Sequence, residues 1–395
     1  MDCNQQEEKT ANLKISFYDS IHALDTSAWE KFTTNKDIYW SKSYLEVLEK
    51  TLKGDVKFYY ALFHNAKNDL LAVAYFQLAK FIDHKANYKD NICLVPGVIK
   101  STILKRLEVN ILVCGNVFAC GEYGFSYSSQ LSPTVAYSNL ARALEQFKAS
   151  KQNKDYSIVL LKEYWESTTV YSHQFLEKGY YDFKIDVNMV LKIHSKWKNM
   201  NDYLQSMTTK YRTRANGVFK KSKDLLVKSF EPEDIMRYEH RINELYGFVL
   251  EKSDFNFGKI TAQSFIGFKT NLKDNFSFMG YFLDDVLIGF STAMTHHKMM
   301  DANFVGLDYL YNNKYALYQR MLYDFVERAI TENLVEIRLG RTAEEIKSCL
   351  GAEPMDMELY VKHKNAISNK VVKSIIKTVK PSSFKLHQPF KANFN

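Results

Sequence analysis

Residues 276–310 read FSFMGYFLDDVLIGFSTAMTHHKMMDANFVGLDYL. Two apolar runs meet at Asp284–Asp285, a turn pair, and a third run follows at 302–310. The stretch predicts an antiparallel hairpin and then a further strand. Downstream, the spacing predicts a helix over 315–330, a strand over 335–340 (VEIRLG), a short helix over 342–351 and a strand over 357–363 (MELYVKH). Upstream, helices are expected at about 199–223, 232–252 (after Pro232) and 261–273.

The same order occurs earlier in the chain. LKISFYD (13–19) reads as a strand, and helices follow over Asp25–Phe32, with Asp25 or Thr26 as N-cap, and over Ser41–Leu52. VKFYYALFH (56–64) and LLAVAYFQLAKF (70–81) alternate around the turn NAKND. A helix at 134–150 leads to the strand SIVLLKEY (157–164), and residues 173–193 read as a short helix, a stop at Gly179 and one strand. This predicts an α/β (α+β) chain that uses one element order twice. Domains are expected at 1–195 and 196–365, with a tail at 366–395.

The composition agrees with compact domains. The chain has 395 residues, 46% of them hydrophobic and 25% charged, with only 15 Gly and 6 Pro, which excludes a disordered or collagen-like polymer. Five cysteines without a CxxC pair argue against a disulfide framework and a zinc site, and for a reducing cytoplasm. The start, MDCNQQEEKT, lacks a secretory apolar region, and no run of about 18 apolar residues predicts a membrane span. The net charge of +8 is uneven. Residues 196–228 hold nine Lys/Arg against Asp202 and Asp224, and residues 361–395 hold eight Lys and no acid, leaving −7 on the rest. Two such basic segments attract phosphate, nucleic acid or anionic lipid.

Two segments carry a resemblance. LGRTAEEIKSCLGAEP (339–354) resembles the late strand–helix signature of Fem-like acetyltransferase domains, and DYLQSMTTKYRTRANGVFKKS (202–222) resembles the basic helix that opens their second domain. The chain is therefore similar to tandem GNAT acyltransferases of the Fem type, the peptidoglycan-bridge aminoacyltransferases. The resemblance implies two GNAT-like domains, each a mixed, largely antiparallel sheet flanked by helices. It also implies a donor bearing phosphate, acyl-CoA or acyl carrier protein, an amine acceptor, and no metal. In LDYLYNNKYALYQRML (307–322), Asn312, Asn313 and Lys314 stand where a GNAT protein carries the glycines that cradle pyrophosphate. That departure leaves a carrier-bound or tRNA-bound acyl group as an alternative to acyl-CoA.

N-acyl transfer needs an unprotonated amine, donors to the oxyanion and an acid for the leaving group. The resemblance makes Lys347 the first catalytic candidate, facing phosphates or the reacting carbonyl. Asp308 is expected to orient the amine, and Tyr318 or Tyr315 to protonate the leaving thiolate. Arg341, Tyr309, Asn313, Lys314, Lys210, Arg212 and Arg214 are expected at the substrate, the arginines and lysines through phosphate. In CGNVFACGEYGF (114–125), Glu122 is expected to reach a substrate amine from a glycine-rich loop. Glu251 and Asp254 are further carboxylates. His296 and His297, adjacent on a strand, should point to opposite faces.

In the tail, Val372, Ile375, Ile376 and Val379 fall on one helical face, with Lys370, Lys373, Lys377 and Lys380 on the other and Pro381 as the stop. Residues 370–394, with anchors at Phe384, Leu386, Phe390 and Phe394, are expected on an anionic membrane surface, making the protein peripheral at the inner face. The function expected is transfer of an acyl group from a thioester to an amine of a lipid or envelope precursor. The alternatives are a Fem-type aminoacyltransferase using aminoacyl-tRNA on a peptidoglycan precursor, and a non-catalytic binding protein of the same fold.

Overall fold

The computed structural model describes residues 12–83, 108–150, 155–252, 255–256, 258–377 and 383–394. Asp254, Val379, Lys380 and Pro381, and two of the five cysteines, Cys3 and Cys93, lie outside them.

Along the first half run β1 (Lys14–Tyr18), α1 (Thr26–Thr33), α2 (Lys42–Thr51), β2 (Val56–His64), β3 (Leu70–Asp83), β4 (Glu108–Cys114), β5 (Phe125–Tyr127), α3 (Pro133–Ala149), β6 (Ile158–Trp165), α4 (Glu166–Ser172), α5 (Gln174–Glu177), β7 (Tyr181–Phe183) and β8 (Asn188–Lys192). The helix starts follow local chemistry. Asp25 accepts from the Ser27 and Ala28 amides, and Ser132 accepts from Val135 N ahead of Pro133 at the first helical position.

The second half has α6 (Met200–Ser206), α7 (Thr209–Lys221), β9 (Leu225–Ser229), α8 (Pro232–Arg237), α9 (Glu239–Leu250), β10 (Phe255–Asn256), α10 (Ala262–Leu272), β11 (Phe276–Leu283), β12 (Val286–His296), β13 (Met299–Leu307), α11 (Tyr309–Tyr315), α12 (Leu317–Thr331), β14 (Glu336–Arg338), α13 (Glu344–Ser348), β15 (Glu353–Met355), β16 (Met357–His363) and α14 (Ala366–Ile376). The β11–β12 hairpin turns at Asp284, whose φ is 52°. The long helices expected at 199–223 and 232–252 are each broken in two, and β9 emerges from the short run LLVKS.

Two mixed, mostly antiparallel sheets result. The first runs β1-β2-β3-β4-β6-β16-β7, with β5 and β10 also on β3, and the second runs β15-β8-β14-β13-β12-β11-β9. Each has one parallel pair, β4 with β6 and β13 with β14. In each, the next strand inward of the edge comes from the other half of the sequence. β16 sits between β6 and β7, and β8 sits between β14 and β15. The compact units are accordingly 1–184, 253–259 and 357–380 for one, and 185–252, 260–356 and 381–395 for the other. This corrects the expected division at 195/196 and the placement of 357–363 in the second domain. Residues 173–193, expected to form one strand, supply β7 to the first sheet and β8 to the second.

The first core joins Phe63, Phe76, Tyr137, Phe147, Tyr164 and Tyr360 between sheet and helices. The second gathers Met189, Tyr203, Met207, Met300, Phe325 and Ile337. Residues 383–394 belong to this second unit. Phe384, Phe390 and Phe394 pack on its core, Thr208 N donates to Pro389 O at 2.8 Å, and Lys391 N donates to Ser206 O at 3.0 Å. The expectation that these phenylalanines anchor the chain in lipid is thereby corrected, because their rings are partly buried and pack against the core of the second unit. Among the described residues no helix is long and apolar enough to cross a membrane.

Candidate functional site

In the second unit the parallel ladder is short. Met299, Met300 and Asp301 pair with Glu336, Ile337 and Arg338, and β13 then runs on to Leu307 while β14 ends. The turns that follow these parallel strands, at 308–318 and 339–344, leave from the same end of the pair.

The first turn is built by Asp308 and Asn312. Asp308 Oδ1 accepts from Leu310 N at 3.0 Å and caps α11, and its Oδ2 accepts from Arg241 Nη2 at 2.8 Å. Arg241 also donates to Leu287 O and Glu244, so the carboxylate ties α9 to the end of β13. Asp308, expected to orient the amine, has both carboxylate oxygens engaged by this turn and by α9. Asn312 Oδ1 accepts from Tyr318 N at 3.0 Å. The left-handed residue between α11 and α12 is Ala316, with φ 50° and ψ 40°, and not Asn312 or Asn313. The expected glycine-like turn is replaced by a helical turn, and the amide at the start of α12 that would face a pyrophosphate already has an acceptor. Asn313 and Lys314 are exposed on α11, the ammonium lying 5.0 Å from the Tyr315 ring.

The second turn is strained. Gly340, Thr342 and Ala343 have φ of 71°, 64° and 52°, a conformation that costs a β-branched threonine most. Lys347, 2% exposed, donates through Nζ to Gly340 O at 3.1 Å and Arg341 O at 2.6 Å. Lys347, the first catalytic candidate from the sequence, holds the carbonyls of this turn with its ammonium. Arg341 is half-buried in the same turn.

Tyr318, on the first turn of α12, packs with Tyr309 on one apolar cluster, and Glu344 acts on it electrostatically. Burial first, then these two neighbours, push its phenol well above the ordinary value. It stays protonated over the physiological range, as a proton donor must. Tyr309 is likewise raised by burial, and Lys252 Nζ stands 3.2 Å over its ring. Glu344, 8% exposed, is the carboxylate missed by sequence reasoning. Its only sequence signal was its position just after the strand-ending Gly340.

The remaining candidates lie elsewhere. Lys210 and Arg214 flank the Tyr211 ring, each 5.5 Å from its centre, and Arg214 Nη1 reaches Cys349 Sγ at 3.7 Å. Arg212 donates to Gln205. Tyr211 Oη meets His387 Nδ1 at 2.9 Å, and His387 Nε2 meets Glu345 at 3.1 Å, fastening the C-terminal segment to α7 and α13. In the first unit Glu122 accepts from Tyr137 Oη at 2.8 Å and Thr168 Oγ1 at 2.7 Å, and burial raises its pKa despite these bonds. Its oxygens face its own fold rather than an outside amine. Beside it, buried Lys162 pairs with Glu163, whose φ is 60°, and Gly121 N donates to the same carboxylate at 2.7 Å. Glu251 is an exposed residue at the end of α9. The His296 and His297 rings, expected on opposite faces, are 3.9 Å apart, because His297 leaves the strand with φ 53°. Among the described residues no three His, Cys, Asp or Glu are placed to hold a metal.

No known family profile matches the chain, and no curated protein matches it in sequence. Solved structures do match in fold. FemX covers 92% of this chain and 100% of its own at a TM-score of 0.53 and 10% identity. The tandem GNAT protein from the clavulanic acid biosynthesis pathway covers 90% and 99% at 0.52 and 8%. L-PGS from Bacillus licheniformis covers 89% and 97% at 0.50 and 12%. With both sheets spanned in each case, this chain has the tandem GNAT fold in its Fem-like form.

Proposed function

We propose that the chain transfers an acyl group to an amine of a lipid or cell-envelope precursor, with the reaction at the turns that follow β13 and β14. The reading is carried by the Tyr318 phenol, which packs with Tyr309 on one apolar cluster and is acted on electrostatically by Glu344, together with the strained turn held by Lys347. The amine nitrogen attacks the acyl carbonyl, the C–N bond forms, and the bond to the leaving sulfur or oxygen breaks. Tyr318 gives its proton to the leaving group, and the proton lost by the amine passes to the Glu344 carboxylate. Lys347 and Asp308 act through the turns they hold.

The donor is read from the α11–α12 turn. With Asn312 on the Tyr318 amide, the helix start offers a poor cradle for coenzyme A pyrophosphate. An acyl group on a carrier protein or on tRNA fits better. The aminoacyl-tRNA reading has its own support: Lys210, Arg212, Arg214, Lys220 and Lys221 crowd α7, and among the described residues no carboxylate pairs with them.

Thermal stabilisation of the full chain by acyl-CoA, acyl carrier protein and aminoacyl-tRNA, followed by mass spectrometry of the products, tests this. Stabilisation and acyl transfer with a carrier or tRNA donor are expected. Transfer from acyl-CoA alone overturns the donor assignment. Silence with all three overturns the enzyme and leaves a binding protein.

A further inference from the structure

We propose that the outer face of α14 docks on an anionic membrane surface. The helix has two apolar faces. Val372 and Ile376 turn inward onto the cluster of Ile111, Val113, Leu160 and Val361. Asn369 locks that rotation, accepting from His363 N at 2.8 Å and donating to Gly179 O at 2.9 Å. Ile367, Val371 and Ile375, four residues apart in turn, therefore form a ridge on the opposite side, 78%, 57% and 57% exposed. A helix that merely covers its own domain needs one apolar face and a polar remainder.

Charge identifies what the ridge meets. Residues 361–377 contain five lysines and no Asp or Glu. Lys362 is matched by Glu145 at 2.8 Å, and Lys373 lies over the Tyr181 ring at 5.3 Å. Lys370 and Lys377 line one side of the ridge, and among the described residues neither meets a carboxylate. An apolar ridge edged by unmatched ammonium groups suits a headgroup layer, with the aliphatic side chains at the acyl boundary and the lysines on lipid phosphates. This face differs from the one expected from the sequence, because Val372 and Ile376 are spent on the domain itself. The inference stands apart from the transfer reaction.

Flotation of the full chain with vesicles of phosphatidylcholine, with and without phosphatidylglycerol, tests it. The wild-type chain should float only with the anionic vesicles and should be released as salt rises. Ile367→Asp with Val371→Asp, both at water-facing positions, should abolish flotation. Lys370→Gln with Lys377→Gln should lower the partition coefficient about tenfold or more. A wild-type chain that does not float, or floats equally with both vesicles, overturns the proposal. So does undiminished flotation of the Asp pair, which moves the contact to another surface. A wild-type dimer in solution that the Asp pair dissociates assigns the ridge to a second copy and overturns it equally.

Discussion

Lys347 is a buried cation whose partners set the shape of a turn. Its ammonium donates to Gly340 O and Arg341 O in a turn with three left-handed residues, two of them not glycine. Lys347→Met keeps the length but leaves those carbonyls short of a donor, which costs about 1–3 kcal/mol, to be read from urea unfolding. Tyr318 carries the chemistry in the proposed scheme. Tyr318→Phe should lower kcat by about 10²–10⁴-fold with KM little changed, and a variant at full rate would remove the tyrosine from the reaction. Glu122 supplies a pH signature. Burial raises its folded pKa above the unfolded value, so the folded chain binds this proton more tightly. That contribution to stability is complete below the unfolded pKa and is lost as pH rises through the folded one. Glu122→Gln should remove the loss, gaining on wild type toward neutral pH in denaturation at several pH values. A variant advantage confined to acid pH contradicts the assignment.

Between elements, the decisive contacts join segments remote in sequence. The C-terminal strand-like segment reaches Met207 through a bridge at Phe390, and that ring lies where a Cβ on Gly351 would stand only 2.1 Å away. Gly351, with φ 96°, thus satisfies both a turn and a close ring. Phe390→Ala should destabilise the second unit by about 3 kcal/mol in thermal or urea unfolding. A free membrane anchor at this position would leave stability unchanged. The amphipathic pattern of α14 was legible in its sequence, but not which of its two apolar stripes faces water. Only the packing of Val372 and Ile376 against a sheet settles that.

Across the whole molecule, the two units trade strands. β16 and β8 each complete the sheet of the unit that the rest of their half does not form, so both halves of the chain contribute to each compact unit. Local signals do determine a good deal. Alternation placed the β2–β3 and β11–β12 hairpins, Asp25 and Ser132 mark helix starts, and the repeated order of elements indicates two GNAT-like sheets. These depend on neighbours within a few residues, where periodicity and capping act. Lys347, Asp308 and Glu122 were picked out by residue type and place; Lys347 meets carbonyls of its own motif, whereas Asp308 depends on Arg241 and Glu122 on Tyr137, both remote from the motifs. The exchange of β8 and β16 and the docking of residues 383–394 were decided by tertiary structure alone. Each is a pairing or burial energy that exists only after distant segments meet.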